Sequence, residues 1–221
     1  MAARLALIRE GIARGAERSE RNPSEISLVA AAKTMPEDAV RWAVEAGVTS
    51  IGENYVQELR ALHDRIPGAR WHFIGTLQAN SAHHVAALAD VVETVAGGRA
   101  TERLARRATQ AGRSIDVLLE VDFTRERPGV DPDDVAAEAD RVGGLEGLRL
   151  RGLMTLPPLG ETAEAARPWF RRLRELRDRI RERHPEVVDL SMGMSLDYEV
   201  AVQEGATMVR IGTALFGPRG T

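Results

Sequence analysis

Lys33 is the only lysine among 221 residues; the other 29 of the 30 basic side chains are arginines. A guanidinium stays protonated, whereas an amine in an apolar setting can lose its proton and attack a carbonyl, as in Schiff-base chemistry. Lys33 ends the apolar run Ile26-Ser-Leu-Val-Ala-Ala-Ala-Lys33 and precedes Thr34-Met35-Pro36. That placement also suits a snorkelling lysine with its stem packed and its head in water, so the residue alone leaves two readings open. Two later segments carry a different chemistry. Ser191-Met-Gly-Met-Ser195 and Arg210-Ile-Gly-Thr213 supply small residues and hydroxyls, with Ser191, Gly193, Ser195, Gly212 and Thr213 as the donors and gaps an anion needs. An amine for an aldehyde and a cradle for a phosphate together describe pyridoxal 5′-phosphate (PLP). Arg210 then either faces the pyridine nitrogen or makes a structural ion pair.

The elements that must bring these segments together alternate along the whole chain. Apolar runs predict strands at 26–32, 49–52, 71–75, 91–95, 115–121, 148–154, 187–190 and 207–211. Helices are expected over about 2–20, 36–47, 55–65, 80–88, 99–111, 131–143, 161–183 and 195–203, with Pro36 and Pro132 as first-turn residues. The helix over 161–183 is expected to bury Trp169, Leu173, Leu176 and Ile180 on one face. Eight alternations favour a single (β/α)8 TIM-type barrel over residues 1–221, with an extra N-terminal helix. In that fold the loops after the strands build the site, which gathers Lys33, Asn54, Tyr55, Met154, the 191–195 segment and the 210–213 segment on one rim.

Composition narrows the class. A formal net charge of −3 gives no global pull toward nucleic acid or an anionic membrane. The chain has no cysteine, which excludes disulfides, thiol catalysis and cysteine metal sites. No apolar run approaches a membrane span and the N-terminus lacks a secretory core, so a cytoplasmic protein is expected. His83 and His84 diverge on a helix without acidic partners, and no metal site is expected there. His72 reads as a hydrogen-bonded packing residue. The eight arginines from Arg167 to Arg183 read as a solvated face, with Arg171–Glu175 and Arg174–Asp178 as pairs four apart.

Several motifs resemble one family. Val29-Ala-Ala-Ala-Lys33-Thr, Ile51-Gly-Glu-Asn-Tyr-Val-Gln-Glu58, Trp71-His-Phe-Ile-Gly-Thr-Leu-Gln-Ala-Asn80, Arg151-Gly-Leu-Met154, Leu190-Ser-Met-Gly-Met-Ser195 and Met208-Val-Arg-Ile-Gly-Thr-Ala-Leu-Phe-Gly217 resemble the PLP homeostasis proteins, relatives of the alanine racemase N-terminal barrel. The resemblance implies PLP as a Schiff base on Lys33 and Arg210 at the pyridine nitrogen. It implies Ser191, Ser195, Gly212 and Thr213 around the phosphate, with Asn54 and Met154 near the ring; Gly193 and Met194, in the same loop, complete the expected cofactor-binding set. Two positions depart from the pattern: Ser81 stands where a lysine is expected, and Val121-Asp-Phe-Thr-Arg-Glu-Arg-Pro-Gly129 lacks the lysine relatives often carry.

Racemisation needs a second acid/base facing Lys33, and the resembled racemases take a tyrosine from an additional C-terminal domain. This sequence ends at Thr221, and its tyrosines are Tyr55 and Tyr198. Tyr55 is the candidate, although helix packing is its expected fate. The resemblance therefore implies a monomeric carrier that buffers PLP and hands it to apo PLP-dependent enzymes. The alternatives are a weak racemase using Lys33 with Tyr55, and an aldolase-like barrel with Lys33 as Schiff-base former.

Overall fold

The structure, a computed structural model, describes residues 1–158 and 160–218. All eight expected strands form: β1 (Ser27–Ala31), β2 (Ser50–Glu53), β3 (Arg70–Phe73), β4 (Val91–Val95), β5 (Ile115–Val121), β6 (Leu148–Thr155), β7 (Asp189–Ser191) and β8 (Met208–Ile211). Each pairs in parallel with the next, and β8 returns to β1 in a register that sets Val29 beside Arg210, closing the barrel. The strands read as apolar runs because a closed parallel barrel buries them on both faces.

The helices are α1 (Ala2–Glu17), α2 (Glu37–Glu45), α3 (Val56–Leu62), α4 (Ala82–Leu88), α5 (Gly98–Gln110), α6 (Val135–Gly143), α7 (Arg167–Arg181), α8 (Tyr198–Gln203) and α9 (Thr213–Phe216). Pro36 stands one residue before α2, its φ of −67° already suited to the helix entry, and Glu37 and Asp38 fill the first turn. Helix α6 starts later than expected, at Val135. Asp131 instead turns the chain locally, its Oδ1 accepting the Asp133 N–H at 3.1 Å. The short α9 was not expected from the sequence.

Helix α7 corrects the sequence reading twice. Its buried face carries Phe170, Leu173, Leu176 and Ile180, not Trp169, which lies half-buried near Phe123 and Arg172. The preceding turn, Ala163–Ala166, is 3-10 helix, so the α phase starts at Arg167 and rotates the face by one residue. Nor do its arginines pair with Glu175 and Asp178 at the spacing of four. Arg167, Arg171 and Arg174 converge on the buried carboxylate of Glu204, at 2.9, 3.3 and 2.9 Å. A buried carboxylate needs partners, whereas an exposed pair gains little, so the arginines go where desolvation is greatest.

The expected N-terminal helix closes the structure from outside. Leu5, Ile8 and Ile12 are buried, and α1 packs against α8. Gly11 makes that packing possible: a Cβ there would collide with the Tyr198 hydroxyl.

Two apolar clusters divide the core. The larger lies between the strands and the helices; the smaller, Val29, Leu118, Met154 and Met208, fills the barrel interior. At the N-terminal ends of the strands, Asp116 is held between Arg70 at 2.5 Å and Arg149 at 2.7 Å. No helix among the described residues is long and apolar enough to cross a membrane.

Candidate functional site

A cavity of about 560 Å³ opens at the C-terminal ends of the strands, on the rim the fold reserves for function. Lys33, Asn54, Met194, Ser195, Arg210, Gly212 and Thr213 line it together. Lys33 follows β1 and is half-buried, and Asn54 follows β2. Gly75 allows the approach of β3 to this wall, because a Cβ there would strike the Asn54 carbonyl. Tyr55 is not packed into the helix layer as expected. It is 46% exposed, and the Lys33 Nζ lies 5.5 Å from its ring centroid, within cation–π range. Tyr198 is the packed tyrosine, covered by α1.

The chain after Lys33 is unusual. Met35 N–H donates to Ala32 O at 2.8 Å, closing a four-residue turn, and Thr34 has φ 63°. A β-branched residue in the left-handed region costs about 1–3 kcal/mol and persists only where its surroundings hold it.

Three of the expected residues do not line the cavity. Met154, 1% exposed, is part of the apolar cluster in the barrel interior. Gly193 is buried with φ 93°, and a Cβ there would collide with Ala201; it lets α8 close against the strand end. Ser191 belongs to β7 and not to the loop after it, with its hydroxyl already engaged on both sides. It donates to Glu93 Oε2 at 2.5 Å and accepts from Arg210 at 2.5 Å.

Those bonds belong to a buried polar chain that sequence reasoning missed. His72 Nδ1 donates to Glu93 Oε1 at 2.6 Å, as expected of a packed, hydrogen-bonded histidine. Glu93 receives Ser191, Ser191 receives Arg210, and Arg210 also donates to the Thr155 carbonyl at 2.9 Å. Arg210 lies 3.6 Å from Glu93 and is 5% exposed. Burial would raise the Glu93 carboxyl, but His72, Arg210 and Ser191 outweigh it and hold the group below its ordinary value. Burial lowers the Arg210 guanidinium, opposed by Glu93, Glu120 and Asp197. Arg210 thus makes the structural ion pair and also reaches the cavity wall. A lone glutamate in the apolar run Val91-Val-Glu-Thr-Val95 was the available signal.

At the other end of the cavity, Met194 N–H donates to Asp197 Oδ1 at 2.7 Å and Ala214 N–H donates to Ser195 Oγ at 3.1 Å. These bonds tie the loop after β7 to the start of α9. Ile74, within the quoted Trp71–Asn80 motif, also lines the cavity, as do Met35, Arg127, Leu156 and Asp197, which those motifs did not mark. All but Arg127 sit within a few residues of a strand end or helix start, the signal that would have found them. No group of three or more His, Cys, Asp or Glu able to hold a metal occurs among the described residues.

The chain matches a known family over nearly its whole length. The family described as alanine racemase, N-terminal domain, matches residues 6–220. A pyridoxal phosphate homeostasis protein of Aquifex aeolicus is 38% identical over 221 residues, covering 98% of this chain and 97% of the relative. That of Escherichia coli K12 is 37% identical over 224 residues, covering 97% and 95%. Among solved structures, PipY of Synechococcus elongatus with PLP bound superposes with a TM-score of 0.83 at 36% identity, covering 94% of this chain and all (100%) of that one. An alanine racemase of Clostridium difficile shares the fold at a TM-score of 0.75 and 15% identity; the match covers 96% of this chain and 60% of that one. With this barrel and near-complete coverage by such relatives, the chain belongs to the pyridoxal phosphate homeostasis proteins, within the alanine racemase N-terminal domain family.

Proposed function

We propose that this protein binds PLP with Lys33 as its covalent anchor, buffers it, and delivers it to apo-enzymes. The observation that carries the reading is the Lys33 amine on the wall of a cavity that also receives the buried Arg210 cation. The residues fit the group. PLP, when bound, supplies an aldehyde for the amine. Arg210 has donors only and stays protonated, so it would give a hydrogen bond to the pyridine nitrogen rather than a proton. Its position is fixed by Ser191, Glu93 and the Thr155 carbonyl. Ser195, Gly212 and Thr213 would take the phosphate, with Met194 beside them and Asn54 toward the ring. Ser191 and Met154 would act from beneath, the first by orienting Arg210 and the second by packing; Gly193 would shape the loop. The relatives' names and the PLP-bound PipY support the cofactor and the homeostasis role. We place the carrier in the cytoplasm as a monomer.

The test is the visible absorbance of protein incubated with PLP and desalted, beside Lys33→Arg. A chromophore retained by the wild type, fixed by borohydride as a mass adduct on Lys33 and absent from the variant, is the expected result. Transfer to a PLP-free apo-enzyme then follows by recovery of that enzyme's activity. A colourless wild type ends the reading.

One observation favours a second reading, a weak racemase, because Tyr55 is close to Lys33 and open to solvent. Turnover of alanine or serine enantiomers that survives repurification and disappears in Tyr55→Phe would establish it.

A further inference from the structure

The stretch Ile51-Gly-Glu-Asn-Tyr-Val-Gln-Glu58 gives Asn54 to the cavity, but it also carries two carboxyl groups the proposed function leaves unused. Glu53, on β2, is 0% exposed, and among the described residues neither of its side-chain oxygens accepts a hydrogen bond. An ionised carboxylate in that position would be desolvated and unpaired. The group can satisfy itself only as a neutral acid that donates. The side chain it meets is the carboxyl of Glu58, on α3. Glu58 Oε2 in turn accepts the backbone N–H of Thr34 at 3.3 Å.

Thr34 is the residue that needs holding. It occupies the left-handed region immediately after Lys33, in a turn whose other ties are Ala32 N–H to Gly52 O at 2.9 Å and Met35 N–H to Ala32 O at 2.8 Å. Glu58 alone is a flexible side chain on a helix. A carboxyl fixed in the barrel wall, giving its proton to Glu58, restricts where the accepting oxygen can lie.

We propose that Glu53 and Glu58 form a carboxyl pair joined by one proton, which clamps the Thr34 amide and so aims the Lys33 amine into the cavity. Both are positioning residues. The inference rests on the reading of Lys33 as the cofactor anchor. Burial, then the Glu58 carboxyl, push Glu53 up to about 8. The titratable group that acts on it is Glu58, from α3. Glu53 is therefore neutral at pH 7; above about pH 8 it loses the proton it gives to Glu58 and the clamp loosens.

Two readouts on the intact protein separate this clamp from the cofactor reading. The first uses no PLP: the side-chain carboxyl 13C resonance of Glu53 and the amide 15N resonance of Thr34 are followed from pH 6 to 10. Both are expected to move together near pH 8, and Glu53→Gln, whose amide still donates to Glu58, leaves Thr34 independent of pH. In Glu58→Gln the new amide donates to Glu53, whose titration moves to lower pH while burial still holds it above an ordinary carboxyl. This holds even if Glu58→Ala fails to fold. The second readout is the chromophore retained on Lys33. Glu58→Ala weakens PLP retention by about tenfold at pH 7, and the retention of Glu53→Gln falls less than that of wild type between pH 7 and pH 9. A Glu53 that titrates as an ordinary carboxyl, or a Thr34 resonance indifferent to pH and to Glu58→Ala, overturns the clamp. A coupled titration in a wild type that retains no chromophore leaves the clamp standing and removes the PLP reading instead.

Discussion

The two ends of the barrel solve the same problem, charge inside a closed sheet, in opposite ways. At the N-terminal ends of the strands Asp116 sits between two arginines, both half-exposed, and Asp189 accepts the Thr207 hydroxyl at 3.1 Å. Those charges are matched and partly wet. At the C-terminal ends Arg210, Glu93 and Glu120 are buried, Glu53 receives no donor, and Lys33 makes no ion pair among the described residues. One end is organised for stability; the other holds groups in states they would not adopt in water, the usual mark of a functional site.

The contrast can be broken by substitution. Arg210→Met leaves Glu93 buried without its cation and is expected to cost about 3–5 kcal/mol in urea unfolding, the largest effect of the set. Next is Glu120→Gln, which acts in the other direction. Burial pushes the Glu120 carboxyl up to about 7, opposed by Arg210 and Arg127. Its folded value is raised, so the neutral form costs nothing below the unfolded value, and a penalty grows as pH rises from about 4.5 through 7. Unfolding at pH 8 is therefore expected to show Glu120→Gln more stable than wild type by about 1–3 kcal/mol, with little difference near pH 4. Asp116→Asn at the opposite end is expected to cost about 1 kcal/mol or less, since its partners can turn to water. Should it cost as much as Arg210→Met, the division between the ends fails. Smallest is Lys33→Arg, within about 0.5 kcal/mol of wild type in unfolding although it removes the retained chromophore entirely.

Much of the C-terminal end was legible in the sequence, and the exceptions follow a pattern. Lys33 stood out as a lone lysine, and the segments around Ser195 and Thr213 by their small residues and hydroxyls. Each signal is local. Ser191 lies on the strand and not in the loop after it because β7 runs one residue further than its apolar run, and its hydroxyl turns to a glutamate 98 residues away. The chain from His72 to Arg210 joins β3, β4, β7 and β8, which only barrel closure makes neighbours. Phe170 displaced Trp169 for a similar reason: the apolar period was right, but the 3-10 turn that sets its phase has no strong signature. Strand existence survives such errors because burial on both faces writes it into composition.

The packing of α1 against α8 has a meaning for how the chain is made. Helix α1 is synthesised well before α8, yet the surface that covers Leu5, Ile8 and Ile12 includes that later element. At about 5–20 residues per second, an interval of about 10–40 s separates the synthesis of the two. Throughout it an apolar helix face is without that cover, and Gly11 keeps open the seat for the Tyr198 ring that arrives later. The nascent chain thus carries an uncovered apolar face on α1 until α8 emerges, and a clasp between two segments far apart in sequence completes its folding.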